Sequence, residues 1–222
     1  MSSKFGVDKM NKKLISILRN ASNIKDIDKE RVYILYLMPE LKIMIKYNQH
    51  NRAHQYNLWE HSLATVCNLP KDIDDDMLYL AALLHDIGKP DCVIYDTKDG
   101  VENYHYYGHP KRSMEIVRDT IIPGLQQKGI KFSDDDKRRL LYYVEYHDDR
   151  VSLRTKHLRK HIQMGASVKE FQNLMHLQVA DAKAHVLIPI ILDRIEICSI
   201  LSGEYTEELY NKIIAEDYRK KK

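Results

Sequence analysis

Apolar residues recur at helical spacing along almost the whole chain. Leu14, Ile15, Ile17 and Leu18 line one face of a first helix, and residues 28–47 carry the pattern onward with Pro39 expected to break or kink it. Residues 48–57 (NQHNRAHQYN) are polar and turn-rich, and they lead into a helix that starts near Leu58 and ends before Pro70. The acidic run 72–76 suits a helix N-terminus, and residues 77–87 then form a nearly continuous apolar helix with Gly88 as its C-cap and Pro90 just beyond. Residues 88–108 read as one long loop rich in Asp, Tyr and Gly, and an ordered loop of that length is usually functional. Pro110 fits the first turn of a helix reaching about Ile122. Ser133 with Asp136 forms a capping-box start for a helix to about Tyr146, and further helices are expected over 154–163, 167–185, 188–201 and 206–219. No strand alternation or internal repeat is evident. The pattern predicts an all-α fold, with residues 1–47 as an N-terminal helical extension packed on a core formed by 48–222.

A few polar residues interrupt the apolar faces. At helical spacing Leu140, Val144 and His147 align, as do Leu174, Leu177, Asp181 and His185, so each polar member is expected to point inward. A buried carboxylate needs a cation, a metal or a hydrogen-bond network, which leaves Asp181 open to either a metal or a core salt bridge. His85 and Asp86 follow an apolar run in which a charge is out of place. Adjacent positions on a helix lie about 100° apart, but near the last turn both side chains can converge on one ion. Together with His61 and His109, these groups supply enough nitrogen and oxygen donors for two divalent ions, and such ions turn water into hydroxide near neutral pH. Hydrolysis is therefore the leading expectation.

Composition narrows this. The formal charge is +3 with a pI near 8.5, too mild to establish nucleic-acid binding and compatible with a phosphate-bearing substrate. The basic end 219–222 reads as a solvated tail. Three cysteines, far apart and without C-x-x-C spacing, fit a reducing cytosol and neither a disulfide framework nor a thiolate zinc site. No apolar run reaches signal-peptide or membrane-spanning length, so the expected location is cytoplasmic with no membrane partner.

The strings Leu58-Trp59-Glu60-His61-Ser62-Leu63, Ala81-Ala82-Leu83-Leu84-His85-Asp86-Ile87-Gly88-Lys89-Pro90, Tyr107-Gly108-His109, Glu145-Tyr146-His147-Asp148 and Ala180-Asp181 resemble the HD-domain phosphohydrolase superfamily. More narrowly, they resemble the C-terminal HD domain of bacterial CCA-adding tRNA nucleotidyltransferases. Several separated motifs agree in type and order over residues 40–200. The resemblance implies a helical bundle with a metal site between central helices, a metal core of His61, His85, Asp86 and Asp181, and His109 and His147 at positions that hold a second ion in binuclear members. Single-metal members leave the alternative that His109 orients substrate and His147 supports from behind. The nucleotidyltransferase head's Gly-Ser followed by an Asp-x-Asp pair is not found, and 74–76 and 134–136 read as helix-start acids, so a free-standing hydrolase is expected rather than tRNA end repair.

On that basis Asp86 is expected to bridge two ions (Mn, Fe, Ni, Co or Mg), or to bind one and face water, in the attack of hydroxide on phosphorus. Lys89 is expected to meet a phosphate oxygen, with a helix-dipole lysine as the alternative, and Lys89, His109, Arg112 and Arg150 are the expected substrate contacts. His105 and the tyrosines at 104, 106 and 107 offer aromatic faces for a base, though the chain has fifteen tyrosines and packing explains most. His50 and His54 are placed at the pocket's edge, and His157, His161, His176 and His185 outside the metal shell. His185 is the least secure of these because it shares a face with Asp181. The expected substrate is a phosphomonoester or phosphodiester of a nucleotide, 2',3'-cyclic nucleotides included, with RNA compatible but not required. A nucleotide triphosphohydrolase, an alarmone hydrolase, a di-iron oxygenase and a non-catalytic metal-stapled binding module are the competing readings.

Overall fold

The computed structural model describes residues 4–50, 53–98 and 101–220, so residues 1–3 and the last two lysines of the basic tail lie outside the described residues. Twelve α-helices account for most of them: α1 Lys4–Asn20, α2 Ile24–Asp28, α3 Arg31–Leu37, α4 Leu58–Asn68, α5 Asp76–Leu84, α6 His109–Ile116, α7 Ile122–Gln127, α8 Asp134–Tyr146, α9 Thr155–Gln163, α10 Val168–Lys183, α11 Pro189–Leu201 and α12 Tyr205–Lys220. The all-α expectation holds, with one hairpin as the exception.

Side-chain caps set where the central helices begin. Asn57 accepts the Glu60 N–H to start α4, and Asp75 accepts that of Met77 to start α5. Reciprocal capping boxes, Ser133 with Asp136 and Ser167 with Glu170, start α8 and α10, and each satisfies two otherwise orphaned amides. The whole of α5 from Met77 to Leu84 is buried, so it is the axis of the bundle. It packs on α1, α4, α8 and α10, and α10 packs in turn on α4 and α11. Helix α1 packs on this axis and α2 on α4, and one contiguous cluster of buried apolar side chains, Leu14, Leu18 and Ile27 among them, runs from Leu14 to Ile213.

Three expected boundaries change. Residues 28–47 are not one helix, because α3 stops before Pro39 and a 3₁₀ segment, Pro39–Met44, follows. The helix expected to end near Ile122 continues to Gln127. A π turn over Val117–Ile121 resets the register, and α7 then begins with Pro123 in its first turn, where a missing N–H costs nothing. The long loop 88–108 contains a 3₁₀ turn, Lys89–Cys92, and an antiparallel hairpin of β1 (Ile94–Lys98) and β2 (Val101–His105), paired Ile94 with His105 and Tyr95 with Tyr104.

Candidate metal centre

Helix α5 ends at Leu84, three residues before the expected Ile87, with His85 as its C-cap and Asp86 in the turn beyond rather than in the last helical turn. Leaving the helix lets neighbouring residues converge, and His85 Nε2 lies 3.2 Å from Asp86 Oδ2. Gly88 is not a left-handed cap: its φ is −81°. It is required by close approach, because a Cβ there would sit 2.5 Å from the Ser113 backbone nitrogen of α6. The Gly88 N–H donates to Ser113 Oγ at 2.9 Å, pinning the His85–Asp86 turn against the helix that carries His109. Gly108, at φ +81°, turns the chain so that His109 opens α6.

The six expected metal residues meet in one place. His61, from inside α4, points Nε2 at Asp181 Oδ1 (3.0 Å) and Asp86 Oδ2 (3.4 Å), and His85 Nε2 is 3.7 Å from Asp181 Oδ1. On the other side of the same carboxylate, His109 Nε2 is 3.1 Å and His147 Nε2 3.4 Å from Asp86 Oδ1. The two Asp86 oxygens thus face two separate donor groups, His61 and His85 with Asp181, and His109 with His147. All six side chains are buried.

Hydrogen bonds behind the rings fix the tautomers. His85 Nδ1 donates to the Ala82 carbonyl, His109 Nδ1 to that of Tyr106 and His147 Nδ1 to that of Val144, at 2.8–2.9 Å. A carbonyl only accepts, so each ring, when neutral, turns an Nε2 lone pair into the site, the arrangement that orients metal-ligating histidines. His109 Nε2 and His147 Nε2 then face each other at 3.1 Å, a contact that repels unless a cation or proton lies between them. His85 Nε2 and both Asp86 oxygens are buried without an aligned hydrogen bond. This donor set fits divalent cations, and the buried groups His61–His85–Asp86 and Asp86–His109–His147 are each compact enough to hold one.

Positive charge stands in at Asp86 in this structure. The Lys89 ammonium lies 2.6 Å from Asp86 Oδ2 and donates to Gln49 Oε1 at 2.8 Å. Burial lowers the His85 pKa, but the Asp86 and Asp181 carboxylates outweigh it and push it up to about 10. Burial would raise Asp86, yet the His85 and Lys89 charges beside it hold it well below the usual carboxylate range. His61 is held down to about 4 by burial, only partly offset by Asp181.

A cavity of about 420 Å³ opens onto these groups. Lys89 and His109 line it, together with Tyr104, His105, Tyr106 and Tyr107 from the hairpin. Arg112 does not. It reaches outward instead, to Asp91 at 2.7 Å and Glu115 at 3.6 Å, because those carboxylates are its nearest counter-charges. Arg150 lines a neighbouring cavity rather than this one. Four further residues line or support this cavity, and of these only His54 is expected from the sequence. Gln49 is buried in the polar segment before α4 and holds Lys89, and its carbonyl accepts the Tyr106 hydroxyl at 2.7 Å. Arg194 of α11 donates to the His147 carbonyl (2.8 Å) and to Asp148 (2.9 Å) and lies 3.7 Å from Asp181 Oδ2. His54, expected at the pocket's edge, and His185, expected outside the metal shell, sit side by side across a backbone bridge with ring centroids 4.4 Å apart. Burial, helped by Lys89, holds His54 down to about 2, so it is neutral. The spacing of His185 from Asp181 was the one available signal for that residue. His161 is buried elsewhere, bonded to Tyr142 and close to Asp149.

Comparison with known proteins matches residues 53–209 to the HD domain family, and this chain belongs to it. It is 29% identical over 158 residues to a CC-adding tRNA nucleotidyltransferase of Thermus thermophilus, a match covering 70% of this chain and 34% of the relative. The chain thus spans about a third of that relative's length. Among the described residues no helix is long and apolar enough to cross a membrane.

Proposed function

We propose that this chain is a metal-dependent phosphohydrolase that holds two divalent ions across Asp86 and cleaves phosphomonoesters or phosphodiesters of nucleotides, 2',3'-cyclic nucleotides among them. The observation that carries the reading is the pair of Nε2 lone pairs on His109 and His147, locked face to face at 3.1 Å beside Asp86 Oδ1. A structural zinc site needs one closed set of four ligands, whereas here one carboxylate serves two groups that open on a cavity. Membership of the HD domain family supports hydrolysis, and the relative's name supports a nucleotide substrate.

His61, His85, Asp86 and Asp181 would hold one ion, and Asp86, His109 and His147 the other. Divalent ions there supply Lewis-acid activation of water and of a phosphoryl oxygen. The protein's own groups do the rest. Lys89, held on the wall by Gln49, places an ammonium beside the phosphoryl group, and the Arg194 guanidinium faces the same cavity from α11. His54, kept neutral by burial, and His185 complete the wall as hydrogen-bonding groups. Although one nitrogen from each can approach His61 closely enough for an ion, that triad contains no carboxylate to offset a third dication beside two others.

The test is hydrolysis of bis(p-nitrophenyl) phosphate and 2',3'-cyclic AMP by protein loaded with Mn, Ni, Co or Mg. Phosphoester cleavage that falls to background in Asp86→Ala is expected. Metal-loaded protein that cleaves no phosphoester in a nucleotide and cyclic-nucleotide panel would overturn the reading.

A further inference from the structure

Arg194 separates two cavities. Besides the one over the metal residues, a second of about 430 Å³ lies between the segment after α8 and helix α11, and the two share Asp148 and Arg194 as walls. Helix α11 carries Ile190, Ile191, Leu192, Ile195 and Ile197 yet buries only Cys198 and Leu201, so it presents apolar surface where a helix packed on one side would present polar residues. Ile191 and Ile197 of that surface face Val151 across the second cavity.

Two of the polar groups that line it, Gln178 and Asp149, are already engaged. The Gln178 amide donates to the carbonyls of Tyr146 (3.1 Å) and Asp149 (2.9 Å), and its oxygen accepts the Cys198 thiol. Asp149 is held by Lys160 at 2.7 Å and faces His161 at 3.2 Å. Arg150, at the cavity's edge and exposed, makes no hydrogen bond or ion pair among the described residues. Apolar walls from Val151, Ile190, Ile191 and Ile197 with one free guanidinium describe a site for a flat ring recognised by its faces. A guanidinium stacks on such a ring, and apolar side chains cover the other side.

The geometry points to this second cavity as the subsite for the nucleobase of a nucleotide whose phosphate lies over the metal centre, with Arg194 between the two halves and Arg150 on the ring. The inference rests on the proposed nucleotide hydrolase reading and deepens it. Because the ring is held by its faces, the subsite accepts purines and pyrimidines alike.

The test separates the subsite from the chemistry. Adenosine, cytidine and ribose are titrated onto chelator-treated protein by calorimetry or ligand-observed NMR, with no ion and no turnover required. Both nucleosides are expected to bind at about a millimolar or tighter and ribose much more weakly. Arg150→Ala and Ile191→Asp, each checked for a wild-type unfolding curve, are expected to weaken nucleoside binding about tenfold, the worth of one stacking contact. Nucleosides that do not bind, or that bind both variants as tightly as the parent, would overturn the subsite while leaving phosphoester hydrolysis to stand or fall on its own assay.

Discussion

Single residues account for the sharpest chemistry here. His85 carries a proton in the ion-free protein because two carboxylates face its Nε2, whereas His61, near 4, carries none. An ion needs the His85 lone pair, so binding must expel that proton. The sign follows directly: below the folded value near 10 His85 is protonated, and affinity for the ion rises as pH rises toward that value. Calorimetric titrations at pH 7.5 in buffers of different ionisation enthalpy are expected to show about one proton released with the ion bound at His61 and His85, and His85→Gln is expected to remove it. Release of no proton by the parent protein would mean that His85 is already neutral before the ion binds, contrary to its raised pKa. At this scale the sequence was informative wherever a polar residue broke an apolar face, as His85, His147 and Asp181 do. Gln49 lies in a polar stretch and Arg194 follows Asp193 on a helix with exposed positions, so nothing local marks them, whereas His54 is placed at the pocket's edge by its position just before α4.

Helices and turns were legible in proportion to how asymmetric their surroundings are. Both α8 and α10 bury one face and begin at capping boxes, and their starts were read to within a residue. The hairpin escaped because Ile94, Tyr95 and Thr97 are all exposed: a two-stranded ribbon without a buried face leaves no period-two signal. Gly88 was noticed for the wrong reason, since a C-cap glycine and a close-approach glycine look alike in sequence. The difference is testable. In Gly88→Ala the new methyl meets backbone atoms of His109, Arg112 and Ser113 at 2.5–2.9 Å, which a flexible side chain cannot relieve. The turn must move away from α6, at a cost of about 1–3 kcal/mol. Unfolding midpoints in denaturant and metal content measured together are expected to fall in Gly88→Ala. A variant as stable as the parent would show that the turn has room the structure does not show.

Over the whole molecule, residues 120 positions apart become neighbours, as His61 and Asp181 do at 3.0 Å. Sequence periodicity tells which face of α4 or α10 turns inward, but not that the two faces meet. That pairing follows from the buried axis α5, against which α4, α8 and α10 all pack. The arrangement makes Asp86 the joint between donors brought by α4 and α10 on one side and by α6 and the end of α8 on the other. Metal content per chain, measured by inductively coupled plasma mass spectrometry after loading with Mn or Ni and removal of free ion, reads that joint directly. About two ions are expected in the parent, about one in His109→Ala and close to none in Asp86→Ala. Retention of the parent's metal content by folded Asp86→Ala would contradict a centre built across that carboxylate.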